Sequence, residues 1–83
     1  MKLTEHTKLR KEKFGTVVFD TLTEKIFVTD GIGADILELI KDGRDMPEIV
    51  SSLKESYDGD QETIEKDVIE FTDELKSNNI VIA

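Results

Sequence analysis

At Asp30 the spacing of apolar residues changes from two to about 3.6, and that switch divides the chain into a β half and an α half. Before it lie short β-branched and aromatic runs separated by turn-forming residues. After it come three stretches, each with one apolar stripe. Strands first and helices afterwards read as an α+β fold, a three-stranded antiparallel sheet followed by three helices. The 83 residues suit one domain with a small core.

Leu9 to Phe14 reads as the first strand. Gly15 precedes Thr16-Val17-Val18-Phe19-Asp20, and Thr21-Leu22-Thr23-Glu24 is a connection of hairpin length to Lys25-Ile26-Phe27-Val28-Thr29. Pairing of sequence neighbours puts the first and third strands at the two edges. The first edge, Lys8-Leu9-Arg10-Lys11-Glu12-Lys13, is crowded with charge, whereas Lys25 to Asp30 is short, apolar and β-prone, with nothing to protect it. One edge is guarded and the other is open to a partner.

Asp30 is placed to cap the first helix, with Gly31 and Gly33 in its first turn and Ile32, Ile36, Leu39 and Ile40 on one face. Lys41 suits the negative helix end, and Gly43 supplies a left-handed stop. Asp45-Met46-Pro47-Glu48 predicts a capping box at the second helix, whose stripe is Met46, Ile49, Val50, Leu53 and Tyr57. Asp60 can cap the third, with Ile64, Val68, Phe71 and Leu75 in a row and Ile69 and Thr72 on its flanks. Ser77-Asn78-Asn79 turns the chain, and Ile80-Val81-Ile82 either adds a strand or packs over the core. Residues 1–7 are expected to be a flexible N-terminal segment, with His6 solvated, and 8–83 the domain.

The absence of cysteine removes disulfides, thiolate nucleophiles and zinc–thiolate sites. His6, the single histidine, has no second imidazole with which to share a metal. Asp58, Asp60 and Glu62 surround a glycine, but Gly59 and Glu65 fall at the wrong places for a calcium loop, and helix capping explains these acids. Gly31-Ile32-Gly33 opens a helix after a strand, yet the third glycine of a dinucleotide fingerprint is replaced by Ile36. Small residues there serve a close approach of helix to sheet. Ser51, Ser52, Thr63 and Thr72 have no base placed beside them by any motif, so no catalytic residue, cofactor or metal is expected.

The net charge of −8 opposes nucleic-acid binding, as does a third helix carrying Glu62, Glu65, Asp67, Glu70, Asp73 and Glu74 against Lys66 and Lys76. A winged-helix regulator is therefore the weaker alternative, motivated by the helix–turn–helix around Gly43-Arg44-Asp45. Met1 to His6 hold no apolar run of the kind a signal peptide needs, and no stretch is long enough to span a membrane, so cytoplasm is the expected location. An open edge offers main-chain donors and acceptors to an added strand, and a third helix beside it would form the other wall of a groove. Side chains alternate along Ile26, Phe27 and Val28, and alternation alone leaves open which set faces the groove. The competing reading is a structural subunit that self-associates through the same edge or sits permanently on an enzyme, and the expected state is a monomer or weak homodimer.

The chain resembles the PqqD-like family, also called RiPP recognition elements. The resemblance runs from Leu9 to Val81 through Arg10-Lys11-Glu12-Lys13-Phe14-Gly15, Val17-Val18-Phe19-Asp20, Lys25 to Asp30 and Ala34-Asp35-Ile36-Leu37. It continues through Asp42-Gly43-Arg44, Glu48-Ile49-Val50 with Leu53, Tyr57-Asp58, and Asp67-Val68-Ile69-Glu70-Phe71 with Leu75. It implies a winged-helix-like, non-catalytic domain that binds the leader of a ribosomally made precursor peptide by strand addition. It also implies delivery of that peptide to a modifying enzyme, often a radical S-adenosylmethionine enzyme. Carried over, the peptide site is Lys25, Ile26, Phe27, Val28 and Thr29 on the strand and Ile64, Asp67, Val68, Phe71 and Thr72 on the helix. The family usually has leucine then asparagine at Thr29 and Asp30, and leucine at Thr72, so this resemblance implies a wetter cleft or a shifted peptide preference.

Overall fold

A computed structural model describes residues 1–82. The chain runs β1 (Lys2–Leu3), β2 (Thr7–Glu12), β3 (Gly15–Asp20), β4 (Ile26–Thr29), α1 (Gly31–Lys41), α2 (Met46–Ser56), α3 (Gln61–Ser77) and β5 (Val81–Ile82). Strands β2, β3 and β4 form an antiparallel sheet in that order, and β1 pairs antiparallel with β5 in a second, two-stranded sheet. The expected α+β architecture is present. The two-stranded sheet is an addition, and it settles Ile80 to Ile82 as a segment that contributes a strand.

Residues 1–7, expected to be a flexible lead-in, are instead tied to the other end of the chain. Lys2 pairs with Ile82 and Leu3 with Val81. The Thr4 N–H donates to the Ile80 carbonyl at 2.9 Å, its hydroxyl donates to the Asn79 carbonyl at 3.1 Å, and His6 Nε2 stands 3.1 Å from that same oxygen. His6 is thus partly covered rather than solvated. A two-residue strand carries no periodicity, which is why the sequence pattern misses it.

The helices supply most of the core: Ile36, Leu37 and Ile40 from α1, Ile49 and Leu53 from α2, and Ile64, Val68 and Leu75 from α3. Val18 is the only apolar residue of the three-stranded sheet to be fully buried, joined by Ile80 and Val81 after α3. Capping follows the sequence at two helices. Asp45 accepts from the Glu48 N–H at 3.1 Å while Glu48 reaches back to the Asp45 N–H at 3.4 Å, and Asp60 accepts from the Glu62 N–H at 3.1 Å. Asp30 differs: it occupies the N-cap position of α1, but its side chain makes no cap hydrogen bond. Gly43 has φ of +85°, the left-handed stop expected after α1.

Gly33 fixes how α1 meets the sheet. A β-carbon there would run into Thr29 Oγ1 and lie 3.2 Å from the Phe71 ring. Glycine lets the first turn of α1, the end of β4 and the middle of α3 converge at one point.

Candidate functional site

The register of the sheet settles how β4 presents itself. Thr16 pairs with Thr29, Val17 with Val28, Val18 with Phe27 and Phe19 with Ile26. Val18 and Thr16 are buried, so their partners Phe27 and Thr29 lie on the helix-facing side of the sheet. Ile26 and Val28 lie on the opposite side with Phe19 and Val17, 63% and 54% exposed.

The main chain of β4 has the complementary polarity. The Asp20 N–H donates to the Lys25 carbonyl at 2.9 Å. Hydrogen-bonded pairs alternate in an antiparallel ladder, so Phe27 and Thr29 turn their N–H and C=O groups toward β3. Ile26 and Val28 turn theirs outward, where no further strand lies. β4 is an open edge.

The α3 helix faces that edge across a furrow. Phe27 and Phe71 line it from opposite sides, with Glu74, Leu75, Asn78 and Ile80 completing its middle. Phe71 and Glu74 also border a shallow depression along α3 with Asp67 and Glu70, to which β4 contributes no residue. The furrow itself passes Phe27, Asn78 and Ile80 to reach Asp20, Thr23 and Lys25. Burial pushes the Asp20 carboxyl up, but the N–H groups of Leu22 and Thr23 and the nearby His6 outweigh it and hold the group below its ordinary value.

Of the helix residues expected in the site, Phe71 lines the furrow and Asp67 lies one turn before it on α3, in the adjoining depression. Ile64, Val68 and Thr72 do neither: all three are buried in the core beneath α3. The physical reason is a rotation of about 100° per residue, which turns positions 64, 68 and 72 into the core while 71, 74 and 78 border the furrow with Phe27. Thr72 donates its hydroxyl to the Val68 carbonyl at 2.9 Å, and it wets the core side of α3 rather than the cleft. Glu74, Asn78 and Ile80, which line the furrow, were missed by sequence reasoning. The helical spacing of three and then seven residues from Phe71 was the signal available for Glu74 and Asn78. On the strand, Lys25 and Phe27 line the furrow, Thr29 lies beside Phe71 at the Gly33 crossing, and Ile26 and Val28 contribute main chain to the edge while their side chains face away.

Among the described residues no group of histidine, cysteine, aspartate and glutamate side chains is arranged to hold a metal ion, and no helix is long and apolar enough to cross a membrane.

The profile of the family described as coenzyme PQQ synthesis protein D, PqqD, matches residues 15–81. The chain belongs to the PqqD family. No curated protein sequence matches it significantly. Among solved structures, this PqqD-family chain is similar to TbiB1 in complex with the TbiA(β) leader peptide, with a TM-score of 0.90 and 25% identity over 96% of this chain and 93% of that one. It is also similar in fold to lasso peptide synthetase B1 complexed with its leader peptide, with a TM-score of 0.88, 18% identity, and 99% and 96% of the two chains covered. A third likeness is to Streptococcus suis SuiB bound to S-adenosylmethionine, with a TM-score of 0.58 and 18% identity. It spans 96% of this chain but 22% of SuiB, so the PqqD fold is one part of that larger chain.

Proposed function

We propose that this protein is a non-catalytic leader-peptide-binding domain that takes an extended segment of a ribosomally made precursor as a fourth strand on β4 and presents it to a modifying enzyme. The observation that carries this reading is the open edge of β4 facing α3 across an apolar furrow, in a PqqD-family fold that covers nearly all of a leader-bound relative. The outward N–H and C=O groups of Ile26 and Val28 supply four main-chain bonding positions. Such bonds give affinity to any extended peptide, and side-chain pockets give selectivity. Phe27 and Phe71 form the two sides of such a pocket.

The enzyme partner is an S-adenosylmethionine-dependent radical enzyme. This is supported by the presence of the same fold within SuiB, a chain bound to S-adenosylmethionine. The domain acts in the cytoplasm, where precursor peptides are made.

The test is a titration of isotope-labelled protein with synthetic leader from the precursor encoded beside it. Amides of Ile26 to Thr29 and of Asp67 to Asn78 should shift and saturate. Absence of saturable shifts with any neighbouring leader would sink the reading.

A further inference from the structure

The furrow is not uniform along its length. Its middle is apolar, between Phe27 and Phe71, and its Lys25 end mixes one cation with Asp20 and neutral side chains. Glu74 borders this middle, and with Asp67 and Glu70 on the other side of Phe71 it forms one exposed acidic stripe of α3. None of these three carboxylates takes part in an ion pair among the described residues, whereas Glu65, on another side of the same helix, pairs with Lys54 at 3.5 Å. The open main-chain edge and the apolar seat therefore make one channel, and the unpaired carboxylates of α3 join it at Phe71 and Glu74.

We propose that this channel selects a peptide carrying lysine or arginine on the side turned to α3, two positions from a large apolar residue seated between Phe27 and Phe71. The inference rests on the leader-binding reading and specifies the chemistry of the leader. The spacing follows from geometry. Side chains on one face of a strand recur every two residues, about 6.6–6.8 Å. One helical step of four, as from Asp67 to Phe71 or from Glu70 to Glu74, rises about 6 Å along α3. An added strand therefore passes the apolar seat and the acidic wall in step. An acidic residue at the same position would meet like charge and lose its water. Each exposed pair contributes little alone, so the selection is a preference of about three- to tenfold that salt diminishes.

The probe is a displayed library of random 12-residue peptides, selected on the intact immobilised protein at low salt and again at 0.5 M sodium chloride. The expected result is enrichment of peptides with lysine or arginine two residues from a large apolar one, weaker at high salt. The variant Asp67→Asn/Glu70→Gln/Glu74→Gln, with its fold checked by circular dichroism, should keep the apolar preference and lose the basic one. A control of equal charge outside the furrow, Glu55→Gln/Asp58→Asn/Glu62→Gln, should keep both. Peptides enriched for the apolar residue without basic excess would overturn the proposal and leave leader binding standing. Equal loss of basic preference in the control would also overturn it, by assigning the preference to bulk charge. Enrichment of no peptide at all would overturn the leader-binding reading and this proposal with it.

Discussion

Tyr57 and Gly33 show how single residues hold the site's frame. The Tyr57 hydroxyl donates to the Asp35 carboxylate, linking the end of α2 to α1. That hydrogen bond, then burial and the carboxylate's charge, raise the tyrosine above its ordinary value of 10.0. Raising an acid's value in the fold stabilises its neutral form. The contribution is fully present below the unfolded value and is lost as pH rises through the folded one. Tyr57 is the sole tyrosine, so an ultraviolet absorbance titration reads it cleanly. The folded protein should ionise above a denatured control, and Asp35→Asn should close the gap. At Gly33 the expectation is a loss of stability despite alanine's better helix propensity, worth about 1 kcal/mol. The added methyl meets Thr29 Oγ1 and the Phe71 ring, and relieving that overlap costs about 1–3 kcal/mol. Urea unfolding of Gly33→Ala should show a lower midpoint, and Thr29→Ala in the same chain should restore part of it by removing the hydroxyl. Independent, additive effects would show that the crossing is not tight.

Elements succeed or fail by their ends and edges. Asp45→Ala breaks a reciprocal capping box and should cost about 1 kcal/mol, whereas Asp30→Ala removes no cap bond and loses only a charge–dipole contribution of roughly 0.5 kcal/mol. Thermal unfolding of the two variants side by side checks the order. Along β4 the two parities give opposite predictions. Val28→Pro removes an N–H that points away from β3, so peptide affinity should fall at least tenfold while the fold survives. Phe27→Pro removes an N–H turned toward β3 and should unfold the sheet. Calorimetric titration with leader and far-ultraviolet dichroism separate the outcomes, and unchanged affinity in Val28→Pro would count against strand addition. The strands and helices were legible because hydrophobic period and capping residues encode them locally. The furrow was less so. The strand β4 could be named, but its parity needed the Val18–Phe27 register, which no local pattern states. On α3, Ile64, Val68 and Thr72 belong to the cleft by resemblance, but the fold buries all three in the core. Apart from Phe71 and Leu75, the α3 wall that remains is written in polar residues, where sequence gives the weakest signal.

At the scale of the molecule, the two chain ends and the furrow are one mechanical unit. The furrow's floor at Ile80 is followed at once by β5, and β5 is held by β1. The carbonyl oxygens of Asn79 and Ile80, just past α3, are bonded by Thr4, with His6 and Thr7 adding side chains to the same two groups. Ile80 and Val81 are almost wholly buried. Deleting residues 2–5 removes β1 and the Thr4 bonds together, leaving Val81 without a strand partner. Exposing even one of these side chains costs about 1.5–3 kcal/mol. For a domain this small that corresponds to a fall in Tm of roughly 10 °C. The loss should not stay at the termini. Asn78 and Ile80 line the furrow with Phe27, so loosening them should weaken leader binding as well. Hydrogen exchange on the truncated protein should show faster exchange at Asn79 to Val81, while the α1 and α2 amides at Leu37, Ile40 and Leu53 change only by the global shift. Adding leader should slow exchange at Ile80 less in the truncated protein than in the full chain. Equal protection by peptide in both would show that the terminal clasp and the furrow are separate.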